Sequence, residues 1–184
     1  GSFSNDAGFS ICSFTGNGTS GASVKHGLST KPAMMIIKNR DQAVDWIAWH
    51  EALADDYHLR FHDTHAALLS GTRFNSTDPS STVFTLGTQD DTNGSSKNMI
   101  AYCFHSVTGY SKFGSYTGSG NASGNSVTLG FQPAFVMVKA SSGSYSWAMF
   151  DNTRAPDSAL FANVSNAEES LDYMDFTSTG FNLT

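Results

Sequence analysis

Most of this chain consists of short runs in which apolar and polar residues alternate, separated by clusters of glycine, serine, threonine and asparagine. That period of two predicts β-strands joined by tight turns. Residues 9–14 alternate in this way, and Gly16, Gly18 and Gly21 close the run. Residues 24–26 predict a second short strand. Residues 32–38 place Met34 and Ile36 on one face and Met35 and Ile37 on the other, the pattern of a central strand covered on both sides. Pro32 suits the start of that strand, where its missing amide breaks no ladder. Residues 45–50, 57–62, 83–86 and 99–104 complete a first set of strands. Between them, residues 51–56 read as a helical turn or a loop, and residues 89–97 as a long polar turn. No long amphipathic helical segment separates the strands, which argues against a doubly wound α/β fold.

The pattern then recurs. Pro32-Ala33-Met34-Met35-Ile36-Ile37-Lys38 returns as Pro133-Ala134-Phe135-Val136-Met137-Val138-Lys139. Phe14-Thr15-Gly16-Asn17-Gly18 is echoed by Tyr116-Thr117-Gly118-Ser119-Gly120, Trp46 by Trp147, Trp49 by Phe150, and Phe84 by Phe181. The offset is about 100 residues, and such a repeat constrains a fold more than any single motif. The predicted fold is all-β, an antiparallel β-sandwich, jelly-roll-like, built from two related repeats. Residues 1–8 form a flexible entrance or tag remnant, 9–106 the first repeat, 107–112 a linker, and 113–184 the second repeat. In the second repeat, residues 113–116 open the unit, residues 152–158 form a turn region containing Arg154 and Pro156, and nothing corresponds to residues 99–104. A repeat without its closing strand is expected to leave an open edge near residues 181–184, which tends to associate.

Composition narrows the chemistry. Charged residues make up 14% of the chain and the formal net charge is −6. No basic stripe is present to neutralise phosphates, so nucleic acid is not an expected partner. No apolar run approaches the ~20 residues of a membrane-spanning helix, and membrane insertion is not expected. Cys12 and Cys103 sit in matching aromatic contexts and read as two buried thiols or as a disulfide. Gly16-Asn17-Gly18 and Gly118-Ser119-Gly120 lack the lysine and following helix of a phosphate loop and read as turns.

Three groups of side chains carry candidate chemistry. Strand alternation puts His58, Arg60 and His62 on one face, with Asp63 and His65 entering after a turn. His58, His62, His65 and Asp63 are thus either a candidate metal site or a polar surface patch. Trp46, Trp49 and Trp147 are core anchors or, if exposed, indoles able to stack on a sugar face. The pairs Asp55-Asp56, Asp90-Asp91 and Glu168-Glu169 read as solvated loops, with calcium binding or glycoside hydrolysis as the alternatives. No cofactor is expected.

The segments FTGNGTSGASVKHGLSTKPAMMIIKNR, YSKFGSYTGSG, LGFQPAFVMVKA, WAMFDNTRAP and TSTGFNLT, taken together, resemble repeated modules in predicted tail or fibre proteins of marine and other environmental bacteriophages. The resemblance covers residues 9–184. Its lysine-asparagine-arginine pattern falls on Lys38-Asn39-Arg40, and the arginine after its tryptophan strand falls on Arg154. With the three tryptophans, Arg40 and Arg154 are the candidate ligand-binding residues. The second repeat departs from the pattern with Lys139-Ala140-Ser141, so the resemblance supports a shared scaffold more than a shared ligand site. It implies a non-enzymatic virion surface module of a phage tail or fibre, extracellular in the particle and made in the host cytoplasm. The implied partners are other virion chains, copies of itself and a host surface glycan. A purely architectural spacer or capsid/tail decoration module is the alternative, and a polysaccharide depolymerase ranks below it.

Overall fold

The structure is a computed structural model that describes residues 1–121, 124–154 and 158–184. The first repeat contributes β1 (Ser2–Ser4), β2 (Phe9–Thr15), β3 (Ala22–Lys25), β4 (Met34–Asn39), β5 (Trp46–His50), β6 (Tyr57–Arg60), β7 (Leu68–Leu69), β8 (Val83–Leu86), a helical turn α1 (Asp90–Asn93) and β9 (Asn98–Phe104). The second contributes β10 (Ser126–Thr128), β11 (Phe135–Val138), β12 (Ala148–Asp151), β13 (Ser158–Phe161), β14 (Glu169–Ser170), β15 (Met174–Thr177) and β16 (Gly180–Leu183). The fold is all-β, with strands arranged in several antiparallel sheets. No helix among the described residues is long and apolar enough to cross a membrane.

A seven-stranded sheet runs in the order β1-β2-β9-β4-β5-β6-β7, and β3 pairs with β8 separately. β4 sits centrally, as its two apolar faces predict: Ile37 lies opposite Ala101 of β9 on one flank and Ile47 of β5 on the other. Met35, Ile37, Ile47, Trp49, Met99 and Ala101 meet Phe84 and Leu86 of β8 in one apolar cluster. Burying side chains such as Ile37, Phe84 and Leu86 contributes about 1.5–3 kcal/mol each. In the second repeat β11-β12-β13-β14 form one sheet and β10-β16-β15 another. Val136, Phe150, Ala159, Met174 and Phe181 join these two in a second cluster.

The repeat extends to individual hydrogen bonds. Trp46 N donates to His62 Nδ1 and Trp147 N to Asn163 Oδ1, each across 16 residues. Lys38 Nζ donates to the carbonyls of Asn39 and Gln42, and Lys139 Nζ to those of Ala140 and Gly143. β11 to β14 therefore correspond to β4 to β7, and β10 and β16 to β3 and β8. A third cluster joins the repeats. Trp147, Met137 and Phe113 pack on Met34, Ala48, Leu59 and Phe61, and Ala67 N donates to Ser141 O at 2.8 Å.

The structure departs from expectation in four places. Residues 1–8 are not a free entrance, because β1 pairs with β2 from Ser2↔Ile11 to Ser4↔Phe9; Gly8, at φ 64°, allows the chain to reverse between them. The polar turn at residues 89–97 contains α1, with Asp91, Thr92 and Asn93 buried. Residues 113–116 contain no strand, so the position of β2 has no strand counterpart there. Finally, β16 lies between β10 and β15, so residues 181–183 are paired on both sides and are not an open edge. Pro156, expected in a turn, lies outside the described residues.

Candidate functional site

The polar residues predicted on the β5–β6 surface form a network centred on two carboxylates. Asp45 forms an ion pair with Arg60, Oδ2 lying 2.9 Å from Nε, and its Oδ1 lies 3.4 Å from His62 Nε2. Asp63 lies 3.5 Å from Arg60 Nη1 and 2.9 Å from His65 Nδ1. Trp46 N donates to His62 Nδ1, which leaves the proton on Nε2, facing Asp45. Partial burial works against the Asp63 carboxylate, but the hydrogen bonds from the amide and ring of His65 outweigh it and hold Asp63 below its usual range. His62, His65 and Asp63 are thus brought together, with the Arg60 guanidinium in contact with both carboxylates.

His58 stands apart. It shares its sheet face with Arg60, as alternation predicts, but is only 1% exposed. Leu68 pairs with it across β6 and β7, yet neither ring nitrogen reaches a partner. Burial first, then the positive charges of Arg73 and Arg60, push its pKa down to about 4. Among the described residues no three His, Cys, Asp or Glu side chains are grouped to hold a metal ion.

The candidate ligand-binding residues are dispersed. Trp49 is 1% exposed in the first core, with Lys31 Nζ 5.5 Å from its ring centroid. Trp147 is 4% exposed; its Nε1 donates to Arg60 O at 2.9 Å, and its ring lies 5.0 Å from that of Phe61. Trp46, its counterpart in the first repeat, is half-buried. Arg40 is exposed beside Ser13, Thr15 and Asn98 in a shallow depression. Arg154 bridges Asp151 Oδ2 at 2.5 Å and Glu168 Oε2 at 2.9 Å. The Thr153 hydroxyl, followed by Arg154, holds the Asp151 carboxyl well below the usual range. Cys12 and Cys103 are both free and buried, and Cys12 Sγ donates to His26 O at 3.3 Å.

Two polar features escape sequence reasoning. Arg73 and Asp91 form a largely buried ion pair at 2.6 Å, although Arg73 comes from a loop with no periodicity. Asn93 in α1 accepts from Asn17 N at 2.9 Å and donates to Thr19 O and Gly87 O at 3.1 and 2.7 Å. The glycine-rich turn closes over the same place: a Cβ on Gly16 would sit 2.3 Å from Gly94 O. The only signal for this clamp was the Gly16-Asn17-Gly18 turn itself.

β11 pairs with β12 and has no other strand neighbour among the described residues. Phe135, its first residue, is 55% exposed.

The family model described as a domain of unknown function (DUF7483) matches residues 1–184, and the chain belongs to that family. No curated protein and no solved structure matches the chain.

Proposed function

We propose that this member of the DUF7483 family is a non-enzymatic module of a virion surface, in a phage tail or fibre, and that its role is architectural. Each repeat is a small β-sandwich, and the pair acts as a rigid spacer or decoration unit. The observation that carries this reading is where the chain's most distinctive side chains are used. Trp49 fills a core, Trp147 fastens one repeat to the other, and Arg154 is held between two carboxylates of its own unit. Side chains committed to internal contacts stiffen a scaffold and are withdrawn from ligands. The resemblance to phage tail and fibre modules supports the virion setting. Antibodies to the chain should therefore label intact phage particles; labelling confined to the infected cell's cytoplasm would remove that setting.

Recognition of a host glycan is the second reading, and exposed tyrosines favour it. Tyr110, Tyr145 and Tyr173 present their rings to solvent, where an aromatic face can stack on a sugar. A glycan array and a host-cell adsorption assay separate the two. The architectural reading expects no saturable binding by the assembled protein. Binding that is lost in Tyr145→Ala or Tyr173→Ala, with the melting temperature kept, would replace it with the glycan reading.

A further inference from the structure

The two faces of β6 differ in chemistry. Leu59 turns to the joint between the repeats, with Met34 and Ala48. On the other face Asp56, His58 and Arg60 follow at every second residue, Asp56 standing just before the strand. Each of the three has side-chain atoms closed off from solvent and without a hydrogen-bond partner: Asp56 Oδ1, both ring nitrogens of His58, and Arg60 Nε. Arg60 Nε is 2.9 Å from Asp45 Oδ2, but the two are not aligned for a hydrogen bond. The Leu68 carbonyl acts on the His58 ring with the same shortfall. Asp91 Oδ1 is also unpartnered, and Asp91 feels the charges of Arg73, Asp45 and Arg60, the three that act on His58. Among the described residues only His105 Nε2 is orphaned elsewhere.

Unpartnered polar atoms are strongly disfavoured in a protein interior, so several in one place mark a ligand that supplies the bonds. The inventory of donors and acceptors identifies it. Asp56 Oδ1 and Asp91 Oδ1 only accept, Arg60 Nε only donates, and a neutral His58 offers one of each. A metal cation would serve the oxygens alone, against two guanidinium charges, and the side chains are not grouped to hold one. An anion would serve only the donors, against the carboxylates. Water donates and accepts, and it adds no charge where Arg73 meets Asp91 at 2.6 Å and Arg60 meets Asp45. The backbone also favours a small ligand. Ser70 N donates to Asp56 O at 2.7 Å, and a Cβ on Gly71 would stand 3.0 Å from Asp56 Oδ1.

We propose that the interior face of β6 is a hydration site: ordered water held among Asp56, His58, Arg60 and Asp91 completes their hydrogen bonds. Such water makes about three hydrogen bonds, is costly to remove, and is part of the fold it occupies. Here it ties β6 to α1, which carries Asp91. The second repeat supplies the contrast. Ala48 lies opposite Leu59 and Met149 opposite Leu160, so β13 sets Ala159 and Phe161 where β6 sets His58 and Arg60. Ala159 is fully buried in the second apolar cluster, and Phe161 packs against it. The same strand is thus wet in one repeat and dry in the other.

Magnetic cross-relaxation between water and the full chain tests this. The carbon-bound ring protons of His58 should exchange magnetisation with long-lived water, after the share relayed through exchanging N–H protons is removed. The methyl protons of Ala159, at the same place in the second repeat, should not. In His58→Phe the oxygen-17 relaxation dispersion of the solvent should lose amplitude while circular dichroism stays unchanged. A native chain whose His58 ring protons meet no long-lived water overturns the proposal, whether or not the variant folds. Undiminished dispersion in folded His58→Phe overturns it too. Saturable shifts of the His58 ring resonances on titration with bromide or with manganese would place an ion there, and would equally overturn the assignment to water. None of these outcomes touches the virion setting, which stands or falls with the labelling of phage particles.

Discussion

His58 is buried, 1% exposed, with no hydrogen-bond partner for either ring nitrogen. Its neutral ring lies within reach of Arg73, Arg60 and Asp45, and a proton on it would add a buried charge beside two cations. In the unfolded chain it titrates near the ordinary value of about 6.5. The unfolded state therefore binds more protons between about pH 6.5 and about pH 4, and native stability falls as pH is lowered through that window. Urea melts should show the chain about 2 kcal/mol less stable at pH 5 than at pH 7 from this group. His58→Leu should flatten that slope, and an unchanged slope would contradict the assignment. Asn93 gives a second residue-scale outcome. It is 1% exposed, and its side chain bonds three backbone groups from two segments. Asn93→Ala removes the partner of Asn17 N and Gly87 O and should cost about 2–4 kcal/mol in denaturant melts, by the usual penalty for buried orphans.

At the scale of elements, strand alternation and the repeat were strong guides. Alternation is a local property, so β2, β4, β5, β6 and β9 were all legible from it, as was the shared face of His58 and Arg60. What lies over that face is not local. Among the charges that act on His58 is Arg73, from a loop with no period, so the sequence could not distinguish the interior His58 from the exposed His62. β1 is a three-residue segment with no alternation, and α1 has an N-cap, Gln89, that makes no side-chain capping bond; neither carried a signal. The repeat also misled in one respect. Trp46 and Trp147 match in sequence, but only Trp147 meets the other repeat, because the contact between the units is made once and is asymmetric. The open edge expected at residues 181–184 is instead paired on both sides, by β10 and β15, because pairing order is not written in any one strand.

At the scale of the whole molecule, two cores are joined by a third, so the repeats should behave as one cooperative body. Calorimetry of the native chain should give a single transition. Trp147→Ala removes the central side chain of the joint and one hydrogen bond to Arg60 O. It should cost about 3–5 kcal/mol, the range for truncating a buried aromatic. It should also split the melt into two transitions, the second repeat unfolding first because fewer buried residues make up its core. A single broadened transition at the native midpoint would mean that the joint does not couple the two cores.

The polar contacts across that joint have one property in common. Trp147 reaches the carbonyl of Arg60, Lys139 that of Thr64, and Ala67 and Ser141 meet amide to carbonyl. On the receiving side the recognition is of chain path, not of side-chain identity. Codons at Thr64 and Ser141 are consequently free to drift, and a library randomised at both should keep the native melting temperature in most non-proline variants. A lineage of such modules can rewrite its outward surface there while the two halves continue to fit.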